Sequence, residues 1–271
     1  MNRILCSSGA VIGRPNGRDY RLLGECMEKL TCDGFEFMMY EDWHKDLRGL
    51  LGFLKDLDAS FPVFHAEKSV GNLISRGEAG DVETAVAAFR SNCELAVELG
   101  SEKMVLHLWG GIDSDKEISR NIACFGTLDA IAREHGLLLT VENVVCNRKD
   151  PMTHLIALAE AYPDVRFTFD TKMARFHRQT DLLYEEENRW LFPRFAHFHI
   201  NDYGGGYMDW GNLRTLHPGE GGVDFDRLFA FLKEQGYRGD FTVEATSFDS
   251  SGVIDFDKLN RTFEVLRGYL K

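Results

Sequence analysis

No segment of the sequence approaches the ~20 consecutive apolar residues that cross a bilayer, which excludes an expected membrane span. The opening run Met1-Asn2-Arg3-Ile4-Leu5-Cys6 enters a strand-like stretch directly and lacks the apolar core of a secretory signal. None of the six cysteines (Cys6, Cys26, Cys32, Cys93, Cys124, Cys146) forms a CxxC pair. Scattered thiols of this kind suit a reduced, cytoplasmic protein better than a disulfide framework. Dense Lys/Arg runs are also missing: 31 basic residues face 43 acidic ones, for a net charge of −12. A surface that acidic repels polyphosphates, so nucleic acid is not an expected partner. Finally, no GxGxxG follows the first strand candidate, and no linker or shift in composition divides the chain.

What is present is an unbroken alternation. Strand candidates are Ile4–Ile12, Phe35–Tyr40, Phe61–His65, Lys103–Trp109, Leu137–Glu142, Val165–Asp170, Phe195–His199 and Phe241–Glu244. Between them, apolar residues at helical spacing predict helices over Tyr20–Leu30, Leu47–Leu57, Val82–Leu99, Glu117–His135, Met152–Ala161, Leu182–Leu191, Phe225–Gln235 and Phe256–Leu270. Eight strand–helix units in 271 residues point to an α/β protein, a single (β/α)8 TIM barrel spanning residues 1–271. A doubly wound open sheet is the alternative. It lacks its phosphate-binding fingerprint here, and the polar strand ends are spread over many strands.

Those strand ends carry the chemistry. Thr140-Val141-Glu142, Thr168-Phe169-Asp170 and Thr242-Val243-Glu244 repeat one design. A threonine two residues before an acid shares its face of a strand, while the residue between them points the other way. In a barrel, His65, His107, Glu142, Asp170, His199 and Glu244 then gather at the C-terminal ends of six consecutive strands. A ring of carboxylates repels itself unless a cation sits within it. Glu142, Asp170, His199 and Glu244 form a hard, oxygen-rich donor set suited to Mn²⁺, Mg²⁺ or Co²⁺, and less naturally to Zn²⁺. His65 and His107 either add nitrogen donors for a second, zinc-like site or bind substrate oxygens. His197 shares the parity of His199 and is expected deeper in the barrel as a hydrogen-bonded core or outer-sphere histidine. His44, His135 and His154 read as structural or solvated, and His177 has no assigned role.

These strand ends resemble the xylose-isomerase-like TIM-barrel superfamily, which includes sugar isomerases, sugar epimerases and endonuclease-IV-type enzymes. The pieces that carry the resemblance are Thr140-Val141-Glu142-Asn143, Phe169-Asp170-Thr171, His199-Ile200-Asn201-Asp202, Pro218-Gly219-Glu220-Gly221-Gly222-Val223-Asp224-Phe225 and Thr242-Val243-Glu244. The resemblance implies that Glu142, Asp170, His199 and Glu244 hold the catalytic divalent ion. It also implies a small sugar or polyol as substrate. Many members carry a histidine three residues after the strand-six aspartate, where this chain has Met173. That departure argues against a three-metal DNA-repair site.

The expected activity is isomerisation or epimerisation by proton abstraction next to a metal-bound carbonyl, with Glu142 and Glu244 as base and acid. His65, His107, Trp109, Lys172 and Glu220 are the candidate substrate contacts, with Lys68 a weaker one. Trp109 offers an apolar face to a sugar ring or else packs in the core. Alternatives are a two-zinc metallohydrolase of the endonuclease-IV-like type acting on a phosphoester, and a non-catalytic sugar-binding barrel. Association into a homo-oligomer stays open.

Overall fold

The computed structural model describes residues 2–271. Its eight strands are β1 (Ile4–Ser7), β2 (Phe35–Met38), β3 (Val63–His65), β4 (Lys103–Leu106), β5 (Leu138–Glu142), β6 (Arg166–Asp170), β7 (Phe195–His199) and β8 (Asp240–Val243). They run parallel in sequence order and close into a barrel, β8 pairing back onto β1 with Leu5 opposite Thr242. Helices connect them, as the alternation predicts, so the chain is a single (β/α)8 TIM barrel.

Period-two patterning divides each strand between two environments. Outward residues are mostly aromatic: Phe37, Phe64, Phe167, Phe169, Phe198 and Phe241 are sealed between sheet and helices. Their rings meet in chains, with Phe169 and Phe198 at 5.6 Å and Phe198 and Phe241 at 6.1 Å. The inward set is different. Leu5, Val63 and Val105 form a small apolar cluster of their own. The rest of the axis is polar, with Glu36, Lys103, Thr140, Thr168, His197 and Thr242 all buried. A barrel interior filled with charged and hydroxyl side chains is stable only if each finds a partner.

Register then sets the ring. Glu142 lies opposite Thr168, Asp170 opposite His199, and His199 opposite Thr242. A bulge between Phe167 and Thr168 shifts β6 against β7. Local caps fix where the helices begin: the side chains of Asp150, Asp224 and Asp255 accept the amides of Thr153, Arg227 and Lys258. On the Ser69–Arg76 helix, a Cβ at Gly71 would stand 2.2 Å from the His107 carbonyl oxygen, so only glycine lets this helix approach the end of β4.

Two local expectations are corrected, and one helix is added. The first strand stops at Ser7, whose side chain accepts the amide of Gly9 and starts a turn of helix over Ser8–Val11. The helix expected over Leu182–Leu191 is two 3-10 pieces, Asp181–Leu183 and Glu186–Arg194, and Pro193 cannot continue a regular helix there. A short helix over Thr171–Phe176 follows β6 immediately. Among the described residues, no helix is long and apolar enough to cross a membrane.

Candidate metal centre

The C-terminal ends of β5, β6 and β7 bring Glu142, Asp170 and His199 together, and Glu244 joins them one residue after β8. One donor atom from each lies within 4.8 Å of the others. His199 Nδ1 faces all three carboxylates, at 3.3 Å from Glu142 Oε1, 3.5 Å from Glu244 Oε2 and 3.9 Å from Asp170 Oδ2. Glu142, Asp170 and His199 are fully buried.

Two asparagines brace the ring. Asn143 Oδ1 accepts the Asp170 amide at 2.6 Å, and its Nδ2 donates to the Asp170 carbonyl at 3.0 Å. Asn201 Nδ2 donates to Asp170 Oδ2 at 2.9 Å, while its Oδ1 accepts the Glu244 amide at 2.8 Å. Asp170 also caps the helix that follows it, Oδ1 accepting the Met173 amide at 2.7 Å. Asp170 is therefore a helix cap and a ring member at once. Met173 is packed out of solvent beside it.

Several buried polar atoms of the ring have no hydrogen-bond partner: Glu142 Oε2, Glu244 Oε1 and His65 Nε2. His65 Nδ1 bonds the Ala66 carbonyl at 2.8 Å, so the proton sits on Nδ1. The ring so held turns its Nε2, which has no hydrogen-bond partner, toward Glu142 Oε2, 3.4 Å away. His107 Nε2 is 2.7 Å from the same oxygen, but off the direction a hydrogen bond needs. Acceptors facing acceptors in a dry site are relieved by a shared cation, and the donor set fits a divalent ion. His65, His107 and Glu142 form a second cluster of donor atoms within the same mutual distance.

The electrostatics agree. Burial pushes the Glu142 carboxyl up, but His107 and His199 outweigh it and hold it well below the usual carboxylate range. Burial raises Asp170 to about 6; Lys172 opposes the rise, while Glu142 and Glu244 add to it. Burial works against the charged form of His199, yet Glu244, Glu36 and Glu142 hold it well above the ordinary imidazole value. Burial lowers His107 to about 4. A site that so favours positive charge amid carboxylates is an electrostatic trap for a cation.

Beneath the ring lies Glu36, in the middle of β2 and missed by reading only strand ends. Its Oε2 accepts from Thr242 Oγ1 at 2.8 Å, and it bonds His197 Nε2 at 2.9 Å and His199 Nε2 at 3.2 Å. His197 is thus a hydrogen-bonded core histidine, as its parity implies. An acid flanked by phenylalanines in a parallel strand was the available signal, because a carboxylate there is buried and requires partners.

Of the expected substrate contacts, two have partners within the protein. Trp109 is wholly buried, donates Nε1–H to the Val144 carbonyl at 2.9 Å and packs on His154, so it presents no face to a ligand. Glu220 pairs with Lys258 at 2.7 Å and accepts the His217 amide at 3.2 Å, which ties it to its own loop. Lys172 is buried, its Nζ donating to Thr215 Oγ1 at 3.1 Å, and its charge acts on Asp170. Lys68 is exposed and lines a cavity of about 330 Å³ with Arg14, Arg18, Tyr40 and Glu67. A larger cavity of about 800 Å³, between Thr246–Asp249 and Val253–Lys258, contains none of the ring residues.

The other histidines have structural partners. His44 bonds Glu67 at 2.5 Å and His135 bonds the Ile131 carbonyl at 2.8 Å. His177 Nε2 accepts the Cys146 amide at 3.0 Å. His154 Nε2 bonds Asp115 Oδ2 at 2.9 Å, and Asp115 also accepts the amides of Asn147, Arg148 and Lys149.

The family model described as xylose isomerase-like TIM barrel matches residues 26–267. No curated protein matches the sequence. Among solved structures, a D-tagatose 3-epimerase-like protein is 22% identical with a TM-score of 0.69, covering 99% of this chain and 97% of that one. D-allulose 3-epimerase from Methylomonas sp. is 16% identical with a TM-score of 0.70, covering 99% and 98%. The IOLI protein with a bound zinc atom is 16% identical with a TM-score of 0.67, covering 99% and 96%. At these identities the likeness is one of fold.

Proposed function

We propose that this chain, which belongs to the xylose isomerase-like TIM barrel family, is a divalent-metal-dependent isomerase or epimerase of a small sugar or polyol. The observation that carries this reading is the buried set Glu142, Asp170, His199 and Glu244, whose donor atoms converge while Glu142 Oε2 and Glu244 Oε1 lack partners. Structural neighbours titled as sugar 3-epimerases and one titled with bound zinc support it. Asp170 and His199 are assigned to holding the ion, with Glu142 and Glu244 sharing that task. Such an ion, when bound, polarises a carbonyl and stabilises the negative charge that develops on oxygen as the neighbouring carbon loses its proton.

The rest is the work of the chain. Glu142 and Glu244 project from strands three places apart around the barrel, and so flank a small ligand from two sides. One carboxylate takes the proton from carbon and the other returns one, to the same carbon's opposite face or to its neighbour. Asn201 steadies the Glu244 end of the pair, accepting the Glu244 amide while donating to Asp170 Oδ2. His65 and His107 lie against Glu142 and are assigned to the substrate's hydroxyl and carbonyl oxygens.

A second reading keeps support from the His65, His107 and Glu142 cluster, which has the nitrogen-rich chemistry of a zinc site. In it, the protein is a two-zinc metallohydrolase acting on a phosphoester. Metal analysis separates the two: one Mn, Mg or Co ion per chain supports the isomerase, and two zinc ions support the hydrolase. The decisive experiment is a ketose panel in deuterated water. Wild-type protein is expected to move solvent deuterium into one of them, and Glu244→Gln to remain folded and lose that exchange. Exchange that survives in Glu244→Gln rules out the acid–base assignment.

A further inference from the structure

We infer that Glu36 is a positioning residue: with His197 and Lys103 beneath it, it fixes the tautomer of His199 that leaves Nδ1 free to face the carboxylates. The inference rests on the metal reading above and concerns residues that are not in the ring.

Donors and acceptors form a chain up the barrel axis. At its base, Arg3 clamps Asp240, Nε to Oδ1 at 3.0 Å and Nη2 to Oδ2 at 2.9 Å. Asp240 Oδ2 lies 3.5 Å from Lys103 Nζ, which also donates to the Ala196 carbonyl at 2.9 Å. The third neighbour of that ammonium is His197 Nδ1, at 3.4 Å. An ammonium has three donors and no acceptor, so Nδ1 of His197 must accept and its proton must sit on Nε2. A ring whose Nδ1 accepts from an ammonium is a neutral imidazole with one N–H, on Nε2.

That N–H points at Glu36 Oε2, 2.9 Å away. Thr242 Oγ1 stands 2.9 Å from the same nitrogen but spends its own proton on Glu36 Oε2 at 2.8 Å, so it does not compete as a donor. Glu36 is fully buried and accepts only. His199 Nε2, 3.1 Å from Oε1 and 3.2 Å from Oε2, therefore carries a proton toward Glu36. The opposite tautomer would set a nitrogen lone pair against a buried carboxylate. With one proton held on Nε2 by Glu36, Nδ1 is the nitrogen that faces Glu142, Asp170 and Glu244 and that gives up its proton when an ion binds there. A carboxylate behind a metal-binding imidazole orients the ring and raises its basicity.

The test uses the full chain stripped of metal, with Zn²⁺ as the probe. Calorimetry reads its affinity, and ¹⁵N imidazole resonances read the proton position on His199 in the zinc-loaded protein. Glu36→Gln is expected to weaken Zn²⁺ binding about 10–100-fold, with the metal-free circular dichroism and melting unchanged. The wild-type spectrum is expected to place the proton on Nε2. Should Glu36→Gln fail to fold, Thr242→Val and Lys103→Met serve instead, each expected to weaken binding without unfolding the metal-free chain. Undiminished affinity in these variants, or a proton on Nδ1, overturns the inference alone. A wild-type protein that binds no divalent ion overturns the functional reading and takes this one with it.

Discussion

The hydroxyls of Thr140 and Thr168 share a hydrogen bond of 2.8 Å between β5 and β6, two residues before Glu142 and Asp170. Thr140 Oγ1 also donates to the Met104 carbonyl at 3.2 Å, so the proton between the threonines comes from Thr168. This buried pair fixes the strands on which two ring carboxylates stand. Thr140→Val keeps the shape and takes away the acceptor of the buried Thr168 hydroxyl, an expected cost of about 1–3 kcal/mol. Urea denaturation reads it. Midpoints identical to wild type would show that the pair contributes nothing.

Ion loading should stabilise the fold, because unfolded chain holds no preformed ring. At a free ion concentration a hundredfold above Kd the gain is about 2.7 kcal/mol, or a melting shift of about 5 °C for a chain of this size. Scanning calorimetry with and without a chelator measures it. Asp170→Asn is expected to abolish the shift, and a full shift in that variant would remove Asp170 from the ligand set.

Asp115 predicts an acid-dependent term. Burial pushes its carboxyl up, but His154 and the amides of Lys149, Arg148 and Asn147 outweigh that and hold it at about 2. The unfolded chain titrates near 3.9, so between these values the unfolded state binds more protons and stability falls with falling pH. The contribution is complete above about pH 4 and is lost on the way down to about 2. Asp115→Asn should therefore be less stable than wild type at pH 7, with the gap narrowing below pH 4. A gap independent of pH would refute the assignment.

Asp202 anchors the glycine-rich loop. Its Oδ2 accepts the amides of Gly219 and Gly221 at 3.0 and 2.9 Å, and Oδ1 those of Tyr203 and Val223 at 2.8 and 3.0 Å. Asp202→Ala strips four amides of their acceptor at once. Amide hydrogen exchange over residues 216–224 should quicken at least tenfold, with the barrel strands unaffected. Unchanged protection would mean the loop is held by its neighbours.

How much of this was legible beforehand follows from where each signal lives. The alternation and the Thr-x-acid repeats are local patterns, and they led to the barrel and to the four converging side chains. Glu36 escaped because it sits mid-strand, where an acid reads as an interruption of an apolar run until the opposite wall of the barrel supplies His197 and His199. Asn143 and Asn201 were visible in the motifs, but their bracing bonds cross between strands whose register the local sequence does not state. Trp109 illustrates the reverse: an aromatic at a strand end looks like a ligand platform, and only the Val144 carbonyl reveals that its N–H is spoken for. The 3-10 run at Glu186–Arg194 contains Pro193, which lies beyond the residues whose spacing predicts a helix over Leu182–Leu191.

Closure of β8 onto β1 has a consequence for biosynthesis. The first strand made waits for the last before both its edges are covered, and Glu244 and Thr242 arrive on that last strand. A nascent chain can complete β5 to β7 and still present only part of the ring, with strand edges exposed at both ends of an unclosed sheet. The four-residue ring is thus complete only late in the life of each molecule, once the sheet has wrapped fully.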